Sequence, residues 1–112
     1  MTGLTQKQCI PCQGGIPPLS AEKIQELLPQ VPQWNLEGNT IVREFKFKNF
    51  KEAIIFINQV AEIAEYKGHH PDIYLHGWNK VKLTLFTHEI KGLHENDFIV
   101  AAKIDPLIKD LK

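Results

Sequence analysis

Histidine is concentrated in one short stretch of this 112-residue sequence, because four of the five histidines lie between Gly68 and Glu89. An imidazole can bind zinc, and with an unperturbed pKa of about 6.5 it can also donate or accept a proton near neutral pH. It can equally be an ordinary polar residue that backbone groups satisfy. The stretch therefore presents three alternatives: a metal site, an acid–base site or a structural role.

The pattern of apolar residues around these histidines predicts a β-hairpin. Apolar and polar side chains alternate over residues 73–76 and 81–86, on either side of a turn at residues 77–79. With a loop of about two to four residues centred on this turn, the numbers of opposed residues sum to about 156 to 158. His88 is then expected to lie across from positions 68–70.

This register brings three histidines together. We expect His69, His70 and His88 at the open end of the hairpin, beside the C-terminus of the helix that precedes it. His76 lies near the turn at the opposite end, and His94 is interpreted as a surface residue near the start of the last helix. These two histidines are therefore excluded from the shared site.

General acid–base catalysis without a metal is the favoured hypothesis for the cluster. One imidazole can be protonated while its neighbour is not, because like charges keep all three from being protonated together. Such a site suits an elimination, in which one group protonates a leaving hydroxyl and another removes a proton. A zinc site stays open but is disfavoured, since consecutive His69 and His70 in extended backbone would point to opposite faces. A structural role also stays open.

Glu65 is the carboxylate closest in sequence to the cluster on its helical side. It lies four residues before His69, so its side chain projects toward the same end if the helix continues that far. It could orient or polarise an imidazole, or it could be a solvated carboxylate at the helix end. Both interpretations stay open.

The remaining segments supply the elements that position the hairpin. Ser20 is placed to cap a short first helix, and Gly38–Asn39 has the composition of a turn within a first hairpin. Asn49 is placed to cap the longest helix, which Gly68 ends. The last helix is predicted from about Asn96.

The predicted order is helix, two strands, helix, two strands, helix. Short links between strands favour antiparallel pairing, so the fold class is α+β, with a four-stranded antiparallel sheet and helices on one face. Trp34 in the first hairpin is interpreted as a core residue, and a kink or break is expected at Pro106 in the last helix. The other face of the sheet would be solvated or buried against a second subunit.

The chain is predicted to be one domain at residues 20–112 behind an extended arm at residues 1–19, which is rich in glycine and proline. Cys9 and Cys12 are the two cysteines of the sequence and lie in this arm. One such pair is at most half of a zinc site. A mobile tail with two thiols is favoured, while a metal half-site or a redox pair stays open.

Charge and hydropathy exclude several classes of partner. Thirteen basic and thirteen acidic residues cancel, so no net positive field is available for a nucleic acid. The longest apolar run, residues 53–64, contains polar residues and is too short to cross a membrane. No nucleic acid and no membrane partner is therefore expected, and the predicted location is the cytoplasm.

Several motifs of the sequence together resemble the pterin-4a-carbinolamine dehydratase family. The matching segments are Glu65 to Asp72, which contains His-His-Pro, Trp78 to Val81, Leu83 to Leu85, Thr87 to Glu89, Gly92, Leu93 and Asp97. Their combination at family spacing is highly specific. The resemblance runs from about Leu19 to Ile104.

The resemblance implies an α+β fold, assembled as a homodimer or homotetramer, with no metal and no organic cofactor. It implies a lyase that dehydrates 4a-hydroxytetrahydropterin, the product of pterin-dependent aromatic amino acid hydroxylases, to quinonoid dihydropterin. Glu65 matches an acidic residue that supports the histidines. The positions that would line the pterin are His69, His70, Pro71, Thr87, His88, Glu89 and Ile90.

The resemblance also implies a division of roles. An imidazolium, His69 or His88 depending on the face that carries the hydroxyl, would protonate this leaving group, and His70 would assist the loss of the N5 proton. The chain departs from the family at His94, where a Ser or Thr usually caps the last helix. We therefore expect a weaker or shifted cap, and we interpret Asp97 as structural.

A binding module without turnover is the alternative function. Animal members of the family also serve as dimerisation cofactors for a homeodomain transcription factor, through a helix surface rather than through the histidines. Another alternative is a protein that binds pterin to assist a hydroxylase. No partner-specific surface is recognisable in this sequence, so the dehydratase hypothesis is favoured.

Overall fold

The predicted order of elements is confirmed. The computed structural model describes residues 18–110, apart from the side chains of Glu89, Lys109 and Asp110. Most of the arm predicted at residues 1–19, with both cysteines, lies outside the described residues. The helices and strands are α1 (Ala21–Leu27), β1 (Asn35–Glu37), β2 (Thr40–Lys46), α2 (Phe50–Lys67), β3 (Asp72–His76), β4 (Lys80–Leu85) and α3 (Glu95–Ile104).

The four strands form one antiparallel sheet in the order β1-β2-β4-β3. Alternate residues of the two central strands are buried with apolar residues of α2 and α3, which gives the half-buried pattern of an antiparallel sheet covered on one face. The buried cluster includes Ile41, Phe45, Leu83, Phe56 and Phe98. The predicted α+β fold is therefore confirmed. No helix within residues 18–110 is long and apolar enough to span a membrane.

Local sequence signals set both ends of α2. The side chain of Asn49 accepts a hydrogen bond from the backbone N–H of Glu52 at 2.8 Å, which caps the first turn. Gly68 ends the helix with a φ of 65°, a left-handed conformation in which a side chain would be strained. The backbone N–H of His69 then donates to the carbonyl of Ala64 at 3.1 Å. The helix end thus fixes the direction in which the chain leaves α2 toward the histidines.

The C-terminal end of α3 is tied to the sheet by a carboxylate. Asp105 accepts from the indole N–H of Trp34 and from the guanidinium of Arg43, each at 2.7 Å. Trp34 is buried in the core, as predicted. The α-helix ends at Ile104 and the chain continues as a 3-10 helix, so the break expected at Pro106 is confirmed. These contacts hold α3 firmly against the rest of the domain.

Candidate active site

The second hairpin has the predicted register. His76 lies opposite Lys80 and Asp72 lies opposite Thr84, so the residue numbers of each pair sum to 156. Pairing stops at Leu85, after which the chain forms a single 3-10 turn over His88–Ile90. The ladder therefore ends before His88, and this turn carries His88 at the open end of the hairpin.

Three imidazoles border one small cavity at this end. The cavity has a volume of about 120 Å³ and is lined by Gly68, His69, His70, Phe86 and His88. The first three residues follow α2, and the last two follow β4. The structure thus brings together the three histidines that the hairpin register placed at one locus.

His69 is held by a buried carboxylate from α3. Its Nε2 lies 2.5 Å from Oδ1 of Asp97, and the two side chains are 11% and 0% exposed. Because a carboxylate oxygen accepts, this contact assigns a proton to Nε2 and leaves Nδ1 as the ring nitrogen that Asp97 does not engage. Asp97 therefore fixes both the orientation and the tautomer of His69.

The other carboxylate oxygen of Asp97 is fixed by its own surroundings. Oδ2 accepts from the hydroxyl of Thr87 at 2.8 Å and from the backbone N–H of His94 at 2.9 Å. With His69, these contacts give the fully buried carboxylate three donors from three segments of the chain. Burial of a carboxylate is costly unless donors surround it in this way. Asp97 is consequently both structural and part of the histidine site.

The interpretation of His94 as a surface residue was wrong. The residue is 9% exposed, and its Nδ1 accepts from the backbone N–H of Asn96 at 3.0 Å, so that it caps α3. The side chain of Asp97 reaches back to the backbone of His94, which completes a capping box. The cap is therefore intact rather than weak or shifted, because an imidazole nitrogen replaces the usual hydroxyl as the acceptor.

His70 has a solvent-exposed partner. Its Nε2 lies 3.0 Å from Oε1 of Glu65, and the two side chains are 60% and 79% exposed. Glu65 therefore contacts an imidazole of the cluster and is at the same time a solvated carboxylate at the helix end, so the structure combines features of both interpretations. An exposed pair of this kind is screened by water and adds little to stability. The structure thus gives His69 a rigid setting and His70 a solvated one.

His88 is exposed and has a ring neighbour. The rings of His88 and Phe86 pack edge to face, with their centroids 4.8 Å apart and their planes at 85°. Phe86 also lines the cavity. This edge-to-face contact restricts the orientation of the imidazole.

The other predicted lining residues lie around the same turn. Thr87 and Ile90 are buried, and Pro71 is half-buried directly after His70. The hydroxyl of Thr87 is directed to Asp97, as described above. The backbone of Glu89 lies within the 3-10 turn between the two buried residues. These positions lie next to the turn that carries His88. The cavity itself is lined by Gly68, His69, His70, Phe86 and His88.

His76 lies apart from the cluster, as its register predicts. Its Nε2 is 2.8 Å from Glu44 on β2, and its ring stacks on Tyr74 with centroids 4.7 Å apart. Within residues 18–110, no group of three or more histidine, aspartate, glutamate or cysteine side chains is arranged to hold a metal ion.

Comparison with known proteins gives a consistent result. The family described as Pterin 4 alpha carbinolamine dehydratase matches residues 17–107. A protein of Methylococcus capsulatus named "Putative pterin-4-alpha-carbinolamine dehydratase" is 54% identical over 106 residues, which cover 93% of this chain and 92% of that protein. A protein of Rubrobacter xylanophilus with the same name is 47% identical over 96% of this chain and 100% of its own length.

A solved structure is similar to this chain in both fold and sequence. The crystal structure of a transcriptional coactivator/pterin dehydratase from Brucella melitensis has a TM-score of 0.75 and is 35% identical. The likeness covers 80% of this chain and 97% of the Brucella chain. Together with the family match over residues 17–107, these similarities show that the chain belongs to the pterin-4a-carbinolamine dehydratase family.

Proposed function

We propose that the chain is a lyase that removes water from a 4a-hydroxytetrahydropterin. The product is the quinonoid dihydropterin, so the reaction would recycle the pterin cofactor of aromatic amino acid hydroxylases. The observation that carries the proposal is a single cavity bordered by His69, His70 and His88, two of which have a carboxylate partner. Family membership supplies the substrate class.

The proposed reaction is a proton-balanced elimination. An imidazolium donates its proton to the 4a-hydroxyl, the C4a–O bond breaks, and water leaves. An unprotonated imidazole accepts the proton of N5, and the electron pair of that N–H bond forms the C4a=N5 double bond. Proton exchange with solvent then restores both imidazoles. The reaction therefore needs one donor and one acceptor but no oxidant or reductant.

The settings of the histidines support distinct roles. His69 or His88 donates to the hydroxyl, depending on the face of the pterin that carries it, and His70 assists the loss of the N5 proton. Asp97 engages Nε2 of His69, which leaves Nδ1 for the substrate. His70 is exposed beside Glu65, so it can pass its proton to water. Glu65 would then keep the ring of His70 in place.

The size of the cavity limits what it can enclose. A volume of about 120 Å³ is well below the range of roughly 300 to 1,000 Å³ that encloses most small ligands. We propose that the cavity takes the reacting edge of the pterin, with C4a and N5, while the pyrimidine ring lies along the rim near Pro71, Thr87, Glu89 and Ile90. Catalysis then requires only the reacting edge to be held among the imidazoles.

The direct test is an absorbance assay of dehydration. The 4a-carbinolamine is generated in situ, and the appearance of quinonoid dihydropterin is followed with and without the protein. We expect His70→Ala and His88→Ala each to lower kcat/KM by roughly 10- to 100-fold, since each removes one proton-transfer group. His76→Ala is the matched control, because this histidine lies outside the cavity. Folded His70→Ala and His88→Ala variants that both match the parent would overturn the acid–base proposal.

A binding module without turnover is the second candidate. The observation that favours it is that α2 exposes several large apolar side chains to solvent, namely Phe50, Ile55 and Tyr66. The similar protein from Brucella is described as a transcriptional coactivator as well as a pterin dehydratase. If the parent protein binds a pterin in equilibrium dialysis but does not accelerate dehydration, this candidate replaces the lyase.

We also propose that the chain forms a homodimer or homotetramer. β3 is at an edge of the sheet, where Ile73 and Tyr74 are exposed and backbone groups are available for pairing. We expect sedimentation equilibrium to give the mass of two or four chains, and Ile73→Lys to shift the protein toward monomer because it adds a charge at this edge. A parent protein that is monomeric at micromolar concentration would contradict this proposal.

A further inference from the structure

His94 contributes both halves of the cap on α3. Its imidazole Nδ1 accepts from the backbone N–H of Asn96, and its own backbone N–H donates to Oδ2 of Asp97. The residue is nearly buried, so its ring is fixed by neighbouring atoms rather than by solvent. The same residue therefore fixes the first turn of α3 and the carboxylate that projects from that turn.

We propose that His94 is a positioning residue for His69, an inference that rests on the lyase function proposed above. The contacts form a continuous chain. His94 holds Oδ2 of Asp97, and Oδ1 of the same carboxylate holds Nε2 of His69. Thr87 donates to the same oxygen from outside α3, so it holds the carboxylate without capping the helix. The acceptor nitrogen of His94 thus sets the helix turn from which Asp97 reaches the catalytic imidazole.

The chemistry of the contact defines the state of His94. Nδ1 can accept the Asn96 N–H only when it carries no proton, so the ring is the neutral tautomer with its proton on Nε2. The N-terminus of a helix also disfavours a positive charge. Asparagine keeps an acceptor at this position, whereas phenylalanine fills similar space with none. Comparison of the two variants therefore distinguishes the effect of the hydrogen-bond acceptor from the effect of the size of the ring.

The experiment compares His94→Phe and His94→Asn with the parent. We expect His94→Phe to lower kcat about tenfold, because a small displacement of a catalytic group is enough for such a loss, while KM changes less than about twofold. We expect His94→Asn to stay within about threefold of the parent. His76→Phe is the matched control for the loss of a histidine outside the site. His94→Ala is measured alongside, as a smaller variant that also lacks the acceptor.

A second measurement does not depend on activity. The imidazole N–H proton that His69 shares with Asp97 is followed by NMR and assigned by its loss in His69→Gln. We expect this resonance to shift or broaden in His94→Phe and His94→Ala, and to be retained in His94→Asn. If the cap were merely structural, its loss would lower the free energy of unfolding without shifting or broadening this resonance.

The outcomes separate this inference from the proposed function. A parent protein that does not accelerate dehydration refutes the lyase, while the NMR signal still tests the contact chain. An active parent with an unchanged kcat and an unmoved resonance in the folded variants that lack the acceptor refutes the positioning role. A loss in His94→Asn as large as in His94→Phe also refutes it, because the acceptor would then not be the cause.

Discussion

Replacement of His69 by alanine is expected to lower kcat/KM for dehydration by roughly 10²- to 10⁴-fold, the range that a positioned acid or base contributes. The effect should exceed those of His70→Ala and His88→Ala for a structural reason. His69 is 11% exposed and is bound to a buried carboxylate, whereas the other two imidazoles are exposed. Water can replace an exposed proton-transfer group more readily than an enclosed one.

This prediction is measured with the absorbance assay, with circular dichroism to establish that the variant is folded. His69→Ala leaves Asp97 without one of its three donors, so some loss of stability accompanies the loss of activity. His76→Ala again serves as the control. A folded His69→Ala protein with kcat/KM within about threefold of the parent would show that this imidazole is not the acid or base.

The second large effect is expected from Asp97→Asn. The carboxylate accepts from His69, Thr87 and the backbone of His94, and an amide has one oxygen to serve donors on two sides. If its NH₂ group turns toward His69, Nε2 must become the acceptor and the ring proton moves to Nδ1. The substitution therefore reverses the hydrogen-bonding roles of the two ring nitrogens while nearly preserving shape.

We expect Asp97→Asn to lower kcat roughly 10- to 100-fold, as for the loss of a partner that orients an active-site histidine. We also expect the free energy of unfolding to fall by about 2 kcal/mol, because a buried donor is left unsatisfied. Urea unfolding and the dehydration assay measure the two effects. Asp72→Asn is the matched control, since Asp72 is exposed at the start of β3. An unchanged urea midpoint together with an unchanged kcat would contradict both expectations.

Much of the site could be predicted from the sequence, because local signals for helix ends and strand register determine where its histidines lie. Asn49 and Gly68 mark the ends of α2, and alternation fixes the second hairpin about its turn. These signals determine that residues 68–70 and residue 88 lie at the same end. The clustering of three histidines then follows from strand register, without knowledge of the rest of the fold.

The contacts made by α3 were not predictable in the same way. His69 and Asp97 are 28 positions apart, and their approach depends on how α3 packs against the hairpin end rather than on a local pattern. His94 was misinterpreted because sequence rules for caps expect a hydroxyl, carboxyl or amide side chain. The spacing from His94 to Asp97 is nevertheless that of a capping box. Allowing an imidazole as the capping acceptor would have revealed it.

Family membership and the structure contribute different parts of the proposal. The family and its named relatives indicate a pterin as the substrate class. The structure shows that His69 and His70 have different surroundings, a buried carboxylate in one case and a solvated one in the other. Different roles for His69 and His70 can therefore be tested by substituting each residue separately.

Under the proposed lyase function, the shared hydrogen bonds at the start of α3 would couple catalysis to the local motion of a helix end. Terminal turns of helices usually fray at little cost, well below the free energy of global unfolding. Here fraying of the first turn would also break contacts of the histidine site, because Asp97 accepts from the backbone N–H of His94 and from His69. Each opening of that turn would release His69 from its anchor. Amide hydrogen exchange at the start of α3 should therefore report how often the site disassembles in the native protein.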